Sequence, residues 1–165
     1  MAENDEYYML LAIEQAKIAL SLGEVPVGAV IVWDDGQIIG TGYNCRESGK
    51  NALMHAELTA IDGACKKMHG WRLHRATLYV TLEPCPMCTG AIVSSRIKRV
   101  VYGAPDTNSG AVCSVMKITD FPQSGRIETE SDVLRDECAA LLTNFFRQMR
   151  EKKESKAVKE SGRSL

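Results

Sequence analysis

Residues 55–57 read His55-Ala56-Glu57, and residues 84–88 read Pro84-Cys85-Pro86-Met87-Cys88. One imidazole and two thiolates make three ligands for zinc and leave a fourth tetrahedral position open. Structural zinc sites fill all four positions with protein, whereas catalytic sites keep three protein ligands and a water. Such an ion lowers the pKa of bound water from about 15.7 to about 7, which at about 1.36 kcal/mol per unit favours hydroxide by roughly 12 kcal/mol. Glu57, two residues past the histidine, is placed to take that proton as general base and return it as general acid. Taken alone, Cys85 and Cys88 would equally suit a redox pair, half of a structural zinc site or two buried thiols, and His55 alone a helix cap. Together with Glu57 they point to zinc-assisted hydrolysis, with His55, Cys85 and Cys88 as ligands and one Zn2+ per chain.

Two ligand groups about thirty residues apart must be brought together by the fold. Residues 7–22 have apolar side chains at helical spacing (Leu10, Leu11, Ile13, Ala16, Ile18, Ala19), with Asp5 as N-cap and Gly23 as stop. Segments 25–33 and 37–43 are strand-like, and Asp34-Asp35-Gly36 between them supplies a tight-hairpin signal. Segment 54–68 returns to helical spacing and starts at His55. Segment 76–82 is a β-branched strand running straight into the cysteine motif, and 87–95 a short helix that Cys85 and Cys88 open. A helix N-terminus favours the thiolates a metal requires, and Pro86 suits a first helical position. A strand at 98–103, a loop at 104–110, a helical turn at 114–118 and a strand at 126–130 follow. A long amphipathic helix then covers 132–153, with Val133, Leu134, Cys138, Leu141, Leu142, Phe145, Phe146 and Met149 on its buried side. The order predicts an α/β fold, a three-layer α/β/α sandwich around a mixed five-stranded sheet. Residues 1–153 form one domain, and 154–165 a basic, flexible tail.

The 165-residue chain has 45% hydrophobic and 25% charged residues, the make-up of an ordinary globular domain. No basic, apolar leader opens it and no apolar run approaches the roughly 18 residues of a membrane helix, so a cytoplasmic protein without a membrane partner is expected. Six cysteines in that setting favour metal over disulfides. Cys65 and Cys138 fall at core positions, Cys45 and Cys113 in or near loops, and His69 and His74 in a connector that suits surface or capping roles. The net charge of −1 excludes a wholesale polyanion binder, yet charge is uneven. Residues 1–35 carry a net −6 and residues 147–165 a net +4, a basic end that suits either a solvated helix or a phosphate backbone.

Several stretches resemble one family. They are 23–30 (Gly-Glu-Val-Pro-Val-Gly-Ala-Val), Met54-His55-Ala56-Glu57, Trp71-Arg72-Leu73, 76–88 with the cysteine motif, Ser95-Arg96-Ile97, Val100-Val101-Tyr102-Gly103-Ala104, and 136–142 running into Phe145-Phe146-Arg147. The chain resembles the bacterial tRNA-specific adenosine deaminases of the cytidine-deaminase-like superfamily, whose zinc donor set and glutamate the motif matches. That resemblance covers most of residues 7–153. It implies hydrolytic deamination of adenosine to inosine at the wobble position of a tRNA, an arginine tRNA in particular, by a homodimer holding an anticodon loop. It assigns Glu57 as proton shuttle and Asn44, Val27, Ala56, Pro84 and Asp106 as substrate-binding residues. The zinc motif is shared with deaminases of free guanine, cytosine and nucleosides, so a free-base deaminase is the alternative. Two places depart from the family pattern, Pro105 and the shortened segment 119–125.

Overall fold

The structure, a computed structural model, describes residues 2–122 and 125–163. Its elements are α1 (Ala2–Ser21), β1 (Gly28–Trp33), β2 (Ile38–Tyr43), α2 (Ala56–Met68), β3 (Ala76–Leu82), α3 (Pro86–Ser94), β4 (Arg99–Ala104), a 3-10 turn (Ile118–Asp120), β5 (Glu128–Glu130) and α4 (Arg135–Ser161). The five strands form one sheet in the order β2-β1-β3-β4-β5. β1 runs antiparallel to β2 and β3, whereas β3-β4 and β4-β5 are parallel. This is the mixed five-stranded α/β sandwich expected from the order of segments.

Strand side chains alternate between two cores, as the two-residue period of a strand requires. Ala29, Ile31, Leu78, Val80, Val100 and Tyr102 face α2 and α3, packing with Ala56, Ala60, Ala64 and Ile92. Val30, Val32, Tyr79 and Val101 face α1 and α4, packing with Met9, Ala12, Ile13 and Cys138. Both faces of β1 are therefore covered, and its residues 28–32 are buried.

The β1–β2 hairpin closes where the Asp-Gly signal lies. The Gly36 N–H donates to the Trp33 carbonyl at 2.9 Å, Gly36 takes a φ of +85°, and Asp35 Oδ1 accepts from the Gln37 N–H at 2.9 Å.

Three expectations need correction. Asp5 does not cap α1, which begins at Ala2 and contains it. Its buried carboxylate instead takes two hydrogen bonds from the Arg99 guanidinium, at 2.7 and 2.8 Å, and one from the Tyr79 hydroxyl at 2.9 Å. The strand expected at 126–130 shrinks to Glu128–Glu130, exposed at the sheet edge. And α4 does not stop near residue 153 but continues through Ser161. Past Phe145 every described α4 residue is exposed, so no core supports this extension. Lys, Glu and Ala dominate it and are strong helix formers, and Lys156 Nζ lies 4.0 Å from Glu160 one turn on. The segment expected as a flexible tail is thus helical for most of its length. Among the described residues no helix is long and apolar enough to cross a membrane.

Candidate active site

Two helix starts meet at the carboxyl end of β3. His55 is the N-cap of α2 and Cys85 the N-cap of α3, both in extended backbone conformation and neither using its side chain to cap. Both side chains are therefore free to act as ligands. Pro86 follows at the first helical position, and the Thr89 N–H closes the first turn of α3 on the Cys85 carbonyl at 2.9 Å. That turn brings Cys88 round beneath Cys85.

A seam of small residues places α2. Gly40 and Gly42 of β2 lie against Ala56, Ala60 and Ala64, and a Cβ on either glycine would collide with the backbone of α2. Helix and strand approach closely because no side chain stands between them, and the start of α2 is delivered beside β3.

His55 Nδ1 lies 3.7 Å from Cys85 Sγ and 3.5 Å from Cys88 Sγ. Ligands on one tetrahedral ion, with metal–sulfur and metal–nitrogen bonds of about 2.3 and 2.0 Å, stand about 3.6 Å apart. The three donor atoms thus have the spacing a tetrahedral metal needs, and among the described residues they form a group able to hold one. His69 and His74 stand apart from it: His69 caps the end of α2 in a left-handed conformation, and His74 packs edge-on to Trp33.

The electrostatics agree. The hydrogen bond from Cys88 is the largest influence on the Cys85 thiol and pulls it down to about 4, with His55 adding to the effect. The same contact, then burial, pushes Cys88 up. A metal takes cysteine as thiolate, and a Cys85 thiol held down in this way is prepared for that role. The hydrogen bond to Cys85 raises the His55 imidazole. Burial raises Glu57, which sits in the first turn of α2 at 4% exposure and also bonds Cys88. A carboxyl so placed suits proton transfer near neutral pH.

The group lies in a cleft of about 520 Å3, within the range of small-molecule sites. Val27, Asn44, His55, Ala56, Glu57, Cys85 and Asp106 line it, seven of the residues singled out from the sequence. Cys88 lies fully buried behind them. Pro84 is not brought to the wall: it is buried, and its carbonyl accepts from the Ala111 N–H at 2.9 Å and the Thr89 hydroxyl at 3.4 Å.

Asn44 donates from Nδ2 to the Val25 carbonyl at 3.1 Å and accepts the Arg46 N–H on Oδ1 at 3.3 Å. A second N–H and a second lone pair remain on the amide. The Asp106 carboxylate closes its own turn, accepting the N–H groups of Asn108 and Ser109 and the Ser109 hydroxyl at 2.9, 3.1 and 2.7 Å.

Sequence reasoning missed part of the lining. Phe146 and Met149 were assigned to the buried side of the last helix but are 45% and 40% exposed and line the cleft beside Phe145 and Lys153. Helical periodicity puts them on the inward face without telling core from cleft. Glu24, Arg46, Glu47, Glu83 and Ser109 also line it. In the segment 119–125, Gln123 and Ser124 lie outside the described residues. Its described residues, like Pro105, are not in the lining.

A mixed sheet with an open His-Cys-Cys group and an adjoining buried carboxylate defines a hydrolytic deaminase. Residues 3–150 match the sequence profile of the MafB19-like deaminases, and the chain belongs to that family. It is 47% identical over 152 residues to a tRNA-specific adenosine deaminase of Bacillus subtilis, covering 92% of this chain and 94% of that one. A tRNA-specific adenosine deaminase of Streptococcus pyogenes is 45% identical, with 92% and 88% covered. A solved structure from work on A-to-I editing by tRNA:A34 deaminases superposes with a TM-score of 0.78 at 39% identity, covering 82% of this chain and 99% of that one.

Proposed function

We propose that this protein is a zinc-dependent deaminase that converts adenosine to inosine at the wobble position of a tRNA. The observation that carries the reading is a three-donor metal group with Glu57 beside it, opening into a cleft in a chain 47% identical to a tRNA-specific adenosine deaminase. His55, Cys85 and Cys88 would hold the ion. Zinc, when bound, supplies a Lewis acid that makes water nucleophilic at neutral pH.

The chain's own residues do the rest. Val27 and Ala56 give the base an apolar seat, and the spare amide positions of Asn44 hydrogen-bond its edge. Glu57 takes one proton from the attacking water and delivers it to N1, then carries the second, from the new C6 hydroxyl, to the departing amine. Water adds at C6, the C6–N bond breaks, and ammonia leaves with inosine in the RNA. A loop base is already partly unstacked, so drawing it in costs less than extruding a paired one.

The rest of the cleft suits RNA rather than a free base. The exposed Phe146, with Met149 beside it, offers a surface on which a flanking base stacks. Beyond Met149, Lys152, Lys156 and Lys159 follow at helical spacings of four and three, continuing the helix face that carries Cys138 and Phe145, and Arg163 lies just past the helix end. The same face thus turns from core to cleft to a row of cations suited to a phosphate backbone. We place residues 1–153 as the deaminase domain, with the rest of α4 as part of this RNA surface. We also place the protein in the cytoplasm as a homodimer, using the half-buried Met87, Ala91 and Val93 of α3.

The test compares wild type with Glu57→Ala on an anticodon stem-loop carrying adenosine at the wobble position. The expected result is inosine from the wild type, none from the variant, and about one zinc per chain in both. A wild type that forms no inosine overturns the reading, and an active variant overturns the role of Glu57.

A further inference from the structure

Two buried carboxylates that line the cleft take no part in the chemistry described above. Glu83, 1% exposed, lies between β3 and Cys85. Its Oε1 accepts the backbone N–H groups of Val112, Cys113 and Ser114 at 3.2, 2.7 and 2.9 Å. Its Oε2 accepts the Asp106 N–H at 3.1 Å and a short hydrogen bond from the Ser114 hydroxyl. Five donors converge on a group with about four lone-pair positions. The loop passes so close that a Cβ on Gly110 would run into the carboxylate.

Glu24, 2% exposed, follows the end of α1 and does the same for another loop. Its Oε2 accepts the Glu47 N–H at 3.3 Å and its Oε1 the Ser48 N–H at 2.5 Å. Each of the two loops forms a lip of the cleft. One presents Arg46 and Glu47, the other Asp106 and Ser109.

We propose that Glu83 and Glu24 are positioning residues, each a buried anion around which one lip of the substrate cleft is folded. The partners of each carboxylate are loop N–H groups and a serine hydroxyl, whose geometry dictates the path of the loop. A buried anion left without these donors would be costly, so each loop is held only in the conformation that satisfies it. The lips contact the substrate around the target base rather than the reacting atoms. Loosening them weakens substrate binding and leaves the chemical step nearly intact.

Hydrogen–deuterium exchange and steady-state kinetics on zinc-loaded Glu83→Gln and Glu24→Gln proteins test this. A glutamine offers one acceptor oxygen where the loop needs two. Exchange should rise about tenfold at Asp106 and 112–114 in the first variant and at 47–48 in the second. KM for the anticodon stem-loop should rise by a similar factor, with kcat within about threefold of wild type and about one zinc per chain. Ser114→Ala, which removes only one hydroxyl, should shift the same amides less, and it decides the matter if Glu83→Gln does not fold. Unchanged exchange in the lips, or a loss of zinc and kcat without a change in KM, overturns the proposal. The kinetic arm rests on the RNA-editing reading, whereas amide exchange needs no substrate. A wild type inactive on RNA therefore leaves the exchange result to judge the carboxylates on their own.

Discussion

Replacing Gly42 with alanine adds a single methyl group on β2, outside the donor group itself, yet it should impair catalysis severely. The new Cβ would lie 2.8 Å from the Ala60 nitrogen, 3.0 Å from Thr59 Cβ and harder still against the Ala56 carbonyl oxygen. Ordinary contact begins near 3.4 Å, so α2 must retreat by about 0.6 Å to relieve the Ala60 overlap alone. Clearing the Ala56 oxygen takes a displacement on the order of 1 Å, and misplacement of that size can cost about 100-fold in rate. Overpacking of this kind also costs about 1–3 kcal/mol of stability. The moving part is the first turn of α2, which carries His55 and Glu57, so rate and metal affinity should fall together. Gly63, in the same helix, is the control: nothing lies within 4 Å of a Cβ built there. Gly63→Ala should stabilise the protein by about 0.5–1 kcal/mol through helix propensity alone and leave the rate unchanged. Guanidinium unfolding and single-turnover inosine formation on zinc-loaded protein read both effects. A Gly42→Ala enzyme with wild-type rate and stability would refute the claim that the glycine–alanine seam sets the site.

Asp5→Asn should cost about 1.5–3 kcal/mol at pH 7, because it removes the charged hydrogen-bond partner of the partly buried Arg99. Arg99 holds the Asp5 carboxyl below its ordinary value of 3.8. The pair's contribution is therefore present above that value and lost as pH falls through the depressed one, so the gap between wild type and variant should narrow in urea melts only below about pH 4. Changing Lys152, Lys156, Lys159 and Arg163 together to glutamine should weaken stem-loop binding and flatten its log–log salt dependence by up to about 3, since each single-strand phosphate contact contributes about 0.7. Deamination of a free nucleoside, if any, should be unaffected by that change. Dialysis against a chelator should abolish deamination, and added zinc should restore it.

The three donors that the structure brings together were legible in the sequence because each half of the group is local: a histidine or a cysteine pair at the start of a helix, with its backbone context in the neighbouring residues. Glu57 was legible for the same reason. The strand and helix order was enough for the sheet, since period-two and period-3.6 patterns carry the fold class directly. Asp5 was misread because its partner Arg99 lies 94 residues away, and an acid before an apolar helical run looks like a cap. Glu24 and Glu83 could not be seen, because their partners are mostly backbone N–H groups of loops, which leave no mark on residue type. That Pro84 is buried, with its carbonyl spent on Ala111 and Thr89, could not be read from its place in the motif. The length of α4 escaped detection because charged helix formers extend a helix without a buried face to announce it.

The most direct measurement incubates the zinc-loaded protein in parallel with an anticodon stem-loop bearing adenosine at the wobble position and with free adenine, guanine and cytosine, following inosine and ammonia. Inosine at the wobble position, with matching ammonia and no release from the free bases, is the predicted result. Ammonia from a free base with no inosine in the RNA would contradict it.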